Sequence, residues 1–433
     1  MPVSPPASKS ADVIVVGAGP AGSAAAYHLA RHGRDVLLLE KAEFPREKVC
    51  GDGLTPRAVR QLMRMGVDTD GPGWHRNRGV RFFSHGTTVE IDWRENTRFP
   101  GYGLTRSRHD FDEILAQRAV KAGARLHTST RVTEPVTDRT GRVRGVRATV
   151  NGTTTAFEAP LVIAADGVSA RLALALGVDR LPERPMATAI RRYHRCEARH
   201  DEPYLDIWTD LAARPGGPLI PGYGWIFPMG DGRVNVGLGL VHGDGPGQAD
   251  TRRLLDEWLA RTPPDWGLKD PGSIDGPVRG AALPMGFSRL PHYTRGMLLA
   301  GDSGGMVSPW SGEGIAYAME AGELAADIAA SALARPAGPW RERVLQRYPQ
   351  EVHRRHGSYY RLGTVWAALQ QKPAFTSFLS KHVVTSPTAM RYLTRLLVNV
   401  TDDGGHRDVA DRVVNALVRA VPAPRPRRRP RRR

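Results

Sequence analysis

Four short runs of consecutive apolar residues stand out along the chain: 13–16 (VIVV), 36–39 (VLLL), 161–165 (LVIAA) and 296–300 (GMLLA). Each is too short for a core helix and does not alternate, which predicts parallel strands buried on both faces. Between the first two, an Ala-rich stretch runs to Ala30 and is ended by Gly33, the pattern of a helix. Elsewhere the period changes. Residues 79–93 alternate as two strands (VRFFS, TVEIDW), and 125–132, 145–150 and 153–159 read as further strands, the last two joined by Asn151-Gly152, a hairpin turn signal. A helix is expected at 57–65. Another begins near Leu104, with Asp110 as its cap, Glu113 three residues on, Ile114, Leu115, Ala119 and Val120 as its buried face, and Gly123 as its stop.

The middle, 182–280, is rich in strands, Gly and Pro, with 191–193, 223–228 (YGWIFP) and 233–240 (RVNVGLGL) as strand segments. This predicts an antiparallel sheet. One short helix, 249–261, puts Leu254, Leu255, Trp258 and Leu259 on one side. A helix follows residue 315, and 340–420 reads as helices whose apolar positions are Val365, Leu369, Leu393, Leu396, Leu397, Val413, Val414 and Leu417.

Composition adds little to the fold and something to the partners. A chain of 433 residues has room for two domains. Its two cysteines, Cys50 and Cys196, exclude a disulfide scaffold and a Cys-rich metal site, and no metal is expected; this usage suits a cytoplasmic setting. The start, MPVSPPASKS, has no apolar core of a signal peptide, and no run is long enough to span a bilayer. The net charge is +17, seven of it from arginines in the last nine residues, RPRRRPRRR. Prolines in that tail prevent a basic recognition helix, and no zinc spacing or aromatic-interleaved basic stretch occurs, so the expected partner is an anionic membrane surface and not nucleic acid.

Candidate chemistry begins in the first unit. Gly17-Ala-Gly19-Pro20-Ala21-Gly22 sits between the first strand and its helix, and Glu40 closes the second strand. Gly17 permits the tight turn, Gly19 lets the backbone approach a pyrophosphate, and Gly22 lets helix and strand pack closely, while the helix N-terminus offers N–H groups to phosphate. A Glu at the strand tip accepts ribose hydroxyls and disfavours a 2′-phosphate, which points to NAD or FAD. The later strands end in Asp166-Gly167 and Gly301-Asp302. Three strand-end motifs in this order and at these distances are the layout of an FAD protein whose cofactor sheet is interrupted by a second domain.

With the loop FPREKVCGDGLTPRAV (44–59), Arg108 in RHDFDEIL, and YGWIFP followed by VNVGLG, the chain resembles the para-hydroxybenzoate hydroxylase class of flavoproteins and, within it, the geranylgeranyl reductase family, over about residues 11–400. The CGDGLTPRAV and PGYGWIFP segments look most like the actinobacterial menaquinone reductases of that family. The resemblance implies an α/β fold: a Rossmann-like FAD-binding domain (11–75, 104–181, 286–335) interrupted by an antiparallel-sheet substrate domain (76–103, 182–285), then a helical C-terminal region (336–421), with a disordered lead-in (1–10) and a basic disordered tail (422–433).

It also implies roles. Asp302 binds the ribityl hydroxyls and Asp166-Gly167 approaches the pyrophosphate or ribityl through the backbone. Arg108 neutralises phosphate, and Arg46 lies near the flavin. The N–H groups around Gly314 and Ile315 face the flavin N1/O2 edge. Lys41, Gly51, Asp52, Val132 and Gly301 complete the expected cofactor contacts. Tyr223, Trp225, Phe227 and Pro228 are expected to line the substrate site, with Tyr223 and Trp225 also catalytic. Cys50, in the flavin-proximal loop, is a candidate proton donor or relay. A lone Cys is otherwise apolar filler, and the aromatics are otherwise sheet core.

The implied reaction is saturation of a double bond in the prenyl chain of an isoprenoid lipid, with a menaquinone tail favoured and a geranylgeranyl group possible. Such a substrate places the enzyme peripherally on the cytoplasmic membrane. The electron donor would be NAD(P)H, bound transiently, or a ferredoxin or quinol. The alternative is an FAD-dependent aromatic monooxygenase. Halogenation on this scaffold needs a lysine soon after the flavin loop, and none occurs from Val49 through Val120.

Overall fold

The structure, a computed structural model, describes residues 9–212, 216–242, 250–402 and 408–421. The four apolar runs form the parallel sheet they predict. Val13–Val16 lies at its centre, flanked in parallel by Val36–Leu39 and Leu161–Ala164; Met297–Leu299 and Arg125–His127 extend it outward. Every residue of the three inner strands is buried, which is why none of them alternates.

On one face the helix Pro20–Arg31 packs against Ile315–Leu333, and the contact is made by small residues, Ala21, Ala24 and Ala25 against Ala318, Ala321 and Ala325. The helices come so close that a Cβ on Gly322 would lie 2.2 Å from the Ala21 carbonyl oxygen. The other face is covered by the three strands Thr130–Thr137, Val143–Val150 and Thr153–Glu158. Asn151 and Gly152 join the last two strands, both at positive φ as a type I′ turn requires.

The middle of the chain builds a seven-stranded sheet in the order Ile274–Pro284, Met186–Arg195, Arg233–Val241, Gly222–Pro228, Tyr204–Trp208, Gly79–Ser84, Thr87–Asp92. All its pairs are antiparallel except Tyr204–Trp208 with Gly79–Ser84. Gly237 has a specific use here: a Cβ on it would sit 2.2 Å from the Trp225 ring, so the glycine opens the space this indole fills on the neighbouring strand. The helix Thr251–Leu259 buries Leu254, Leu255, Trp258 and Leu259 against one face of the sheet. The helix Pro387–Val398 covers the other end through Met390, Leu393 and Val398, which meet Val80, Phe82 and Leu205.

Several expectations are corrected. The helix Arg108–Lys121 is capped by the Ser107 hydroxyl, not by Asp110, which instead pairs with Arg106. Ile114 and Val120 are only half-buried on it, because Phe111, Leu115, Ala116 and Ala119 take the core side. Residues 125–132 form two strands, Arg125–His127 and the start of Thr130–Thr137, and these belong to different sheets. In the lead-in, Lys9 and Ser10 are pinned to the end of a strand: the Glu158 N–H donates to the Lys9 carbonyl and Ser10 bridges Glu158. Residues 1–8 and the basic tail from 422 lie outside the described residues. Of the apolar positions expected on the C-terminal helices, Val365, Val413 and Leu417 are exposed.

Candidate active site

One cavity of about 450 Å³ collects most of the singled-out residues from four separate parts of the chain. At one end are Gly17, Gly19, Pro20 and Ala21 from the first turn, with Glu40, Lys41, Arg46 and Val132 beside them. The helix Pro20–Arg31 has no side-chain cap at its N-terminus, so its first N–H groups are free for an anion. Nothing crowds Gly19: a Cβ there would find its nearest neighbours, Arg46 Nη2 and Asp112 Oδ2, at 3.9 and 4.0 Å. Glu40 is buried, with one oxygen accepting the Ala18 N–H at 2.9 Å and the other the Ala42 N–H at 3.0 Å, leaving lone pairs for a ribose.

Arg46 donates to Asp112 at 2.9 Å, and Arg108 holds the same carboxylate in a bidentate pair with both bonds at 2.8 Å. The Arg46 guanidinium therefore stands beside the Gly19 turn. Asp112 was missed from sequence, although its position four residues after Arg108 on one helix was a legible signal.

Further along, Asp166 and Gly167 line the wall. The Asp166 carboxylate is used internally, bonded to the Ser303 hydroxyl and to the Leu172 N–H. Asp302 faces the cavity, and Gly314 and Ile315 present a second helix N-terminus with no side-chain cap. Two uncapped helix ends and an unblocked glycine turn on one cavity fit a cofactor with a pyrophosphate at one end and an electron-accepting ring at the other. Gly22 and Gly301 do not reach the cavity. Gly22 packs against Gly17 and Ala165, and Gly301 against Ala21 and Ala318. Pro228 does not reach it either; its carbonyl accepts the Thr105 hydroxyl at 2.6 Å.

The loop 50–53 meets the seven-stranded sheet here. A Cβ on Gly51 would lie 3.2 Å from Trp225 and 3.3 Å from Phe227, so the loop rests directly on these rings. Trp225 donates its indole N–H to Asn235 at 2.9 Å; Asn235 in turn donates to Asp52 at 2.7 Å and to the Cys50 carbonyl at 2.9 Å. Tyr193 also donates to Asp52, whose φ is +64° and whose carboxyl burial pushes up to about 6. Asp52 therefore lines the site but spends its carboxyl on holding the loop. Tyr193 and Asn235 are further residues the sequence did not mark. The Cys50 thiol is half-buried on the wall, and desolvation pushes it above the ordinary range, so it stays protonated at neutral pH. Tyr223 donates to the Ser311 carbonyl at 2.5 Å and so ties the sheet to the loop 303–314.

Residues 10–216 match the FAD binding domain family and residues 186–270 match the geranylgeranyl reductase catalytic domain. The chain is 36% identical over 397 residues to the menaquinone reductase of Mycobacterium tuberculosis, covering 91% of this chain and 92% of that one. It belongs to the geranylgeranyl reductase family. FAD is accordingly its cofactor. This family member is also 32% identical over 334 residues to digeranylgeranylglycerophospholipid reductase 1 of Methanopyrus kandleri, with 74% and 81% of the two chains covered. Its fold is that of a geranylgeranyl bacteriochlorophyll reductase-like protein of Thermoplasma acidophilum, with a TM-score of 0.76 at 23% identity, over 94% of this chain and 99% of the other. Among the described residues of the reductase, no helix is long and apolar enough to cross a membrane.

Proposed function

We propose that this chain is an FAD-dependent reductase that saturates a carbon–carbon double bond in the prenyl chain of an isoprenoid lipid, with the tail of a menaquinone as the favoured substrate. The observation that carries this reading is the shape of the cavity. Beyond the nucleotide motifs it continues between the seven-stranded sheet and the C-terminal helices, where Val80, Phe82, Leu205, Ile207, Met390, Leu393 and Val398 line it. A passage walled by aliphatic and aromatic side chains suits a prenyl chain, which gains about 0.8 kcal/mol for each methylene removed from water.

Bound in its reduced form, FAD supplies the hydride. The chain's own residues hold the lipid across that ring and keep water from the carbon where positive charge develops. Tyr223 and Trp225 are assigned that carbon, their ring faces offsetting its charge. Phe227 guides the tail, and the protonated Cys50 thiol borders the reacting bond. Purified holoenzyme, reduced under anaerobic conditions and given detergent-solubilised menaquinone, is expected to yield a quinone heavier by two hydrogens per saturated bond. An unchanged mass with hydroxylation of an aromatic acceptor would favour the monooxygenase alternative.

The lipid substrate calls for peripheral docking on the cytoplasmic membrane. The helix Val409–Ala420 supports it. Val409, Val413 and Leu417 recur every fourth residue and are 57%, 41% and 50% exposed, and the seven tail arginines follow this helix in sequence. An apolar helical face followed in sequence by a basic segment is a combination that binds anionic lipid. Deleting residues 423–433 together with Val413→Ser and Leu417→Ser is expected to reduce co-sedimentation with anionic vesicles about tenfold at low salt, with FAD retained; unchanged co-sedimentation would refute the docking surface. The electron donor, NAD(P)H or a ferredoxin or quinol, remains part of the proposal and is tested by which of these reduces the bound flavin.

A further inference from the structure

Alkene reduction consumes a proton as well as a hydride. Among the proton-bearing side chains that line the cavity are Cys50 on the flavin loop and Glu313 on the loop 303–314, immediately before the uncapped helix N-terminus at Gly314. The negative charge either would carry when ionised disfavours ionisation of the Tyr223 hydroxyl, which places that ring within electrostatic reach of each. Glu313 Oε1 accepts the Thr55 hydroxyl at 2.6 Å. Its other oxygen, Oε2, is shielded from solvent and has no hydrogen-bond partner. A carboxylate with one buried bare oxygen is costly, whereas a neutral carboxyl there is not.

Resting on the reductase reading, we propose that Glu313 holds the proton of the reaction and delivers it to the prenyl double bond. The π pair forms a C–H bond with that proton as the Oε2–H bond breaks. The adjacent tertiary carbon would take the hydride that bound reduced FAD supplies, and the FAD would be left oxidised. Glu313 ends ionised and recovers its proton from water.

Chemistry favours Glu313 over the thiol. A poorly basic alkene needs the strongest acid that is still protonated at working pH. Burial, with the nearby Glu320 charge, pushes Glu313 up to about 7, while the Thr55 bond and Arg57 act against it, so it keeps its proton far closer to neutrality than an ordinary carboxyl does. Cys50 is also protonated, but as a far weaker acid.

The test uses holoenzyme. Infrared difference spectra should show a carboxylic acid C=O band that disappears on titration through about pH 7 and is absent from Glu313→Gln. In anaerobic single turnover, Glu313→Gln should keep its FAD and still be reduced by dithionite, yet be reoxidised by the prenyl lipid about 10²- to 10³-fold more slowly. Thr55→Val, which removes a bond favouring the ionised form, should move both the infrared titration and the alkaline fall in rate to higher pH. Wild-type reoxidation by Glu313→Gln, or no titrating acid band in wild type, overturns the proposal. Failure of wild type to reduce any prenyl bond, with the band present, would instead overturn the reductase reading.

Discussion

Gly19→Ala is expected to fold like the parent chain but to lose FAD on purification, whereas Gly22→Ala is expected to lose the fold together with the cofactor. The two glycines are three residues apart in one motif and face opposite ways. Gly19 is an extended N-cap with φ −83°, which alanine adopts without strain, and the space its Cβ would enter is open to the cavity. Nothing in the protein resists that methyl; only the pyrophosphate does. Its affinity for FAD should fall by about 100-fold or more, some 2.7 kcal/mol. On Gly22 the added Cβ would lie 1.8 Å from the Gly17 carbonyl oxygen and 3.3 Å from Ala165 Cβ. Backbone must move, and overpacking of a filled core costs about 1–3 kcal/mol or more. The ratio of flavin to protein absorbance and chemical denaturation of the apoproteins separate the outcomes. A Gly19→Ala protein that keeps its full complement of FAD would show that the phosphate binds elsewhere.

The second large effect is expected at Arg57. Its guanidinium is buried, donates to Glu320 at 2.9 Å and to the Asn399 carbonyl at 2.8 Å, and lies over the rings of Tyr317 and Phe99. It joins the helix Pro56–Met65 to Ile315–Leu333 and to the end of Pro387–Val398, and so sets the C-terminal helices against the cofactor domain. Arg57→Met would leave Glu320 buried with the more distant Arg60 charge and with His356, 3.3 Å away and itself held largely neutral by burial, which pushes it down to about 4.

Breaking a buried pair in this way costs about 3–5 kcal/mol, whereas removing both charges costs much less, so Arg57→Met with Glu320→Leu should recover most of the loss in urea denaturation. Burial works to raise the Glu320 carboxyl, but the charge and hydrogen bond of Arg57, with the charges of His356 and Arg60, together outweigh it and hold it below the usual range. A carboxyl with a lowered native pKa binds fewer protons folded than unfolded. Its stabilisation is therefore present above the unfolded value and is lost as pH falls through the native one. The double variant should lack that acid-limb contribution. A single variant as stable as wild type would show that the pair is not what holds the helices.

The cofactor half of the fold was legible because local physics dictates it. A strand buried on both faces must be continuously apolar, and a pyrophosphate-binding turn must be glycine at fixed spacings, so 13–40 announced itself. The Asn151-Gly152 hairpin was legible for the same reason: two adjacent positive-φ residues leave few choices of side chain. Caps were harder. Ser107 and Asp110 are both good N-cap residues, and Arg106 decided between them by pairing with Asp110. The stripe Val409, Val413 and Leu417 has ordinary helical spacing; only the tertiary structure, which leaves these side chains exposed, made it a surface.

By itself, the sequence determined the elements of the nucleotide sheet, the family and FAD, since these depend on residues close together in the chain or on motifs in fixed order. Only the tertiary structure decided which side chains meet. Asp112 takes both Arg46 and Arg108, Asp52 is consumed by Tyr193 and Asn235, Pro228 is left off the cavity, and Glu313 is left with one bonded and one bare oxygen. Those pairings depend on where separate strands and helices come to rest and on how much water burial removes. No local pattern of residues encodes either quantity.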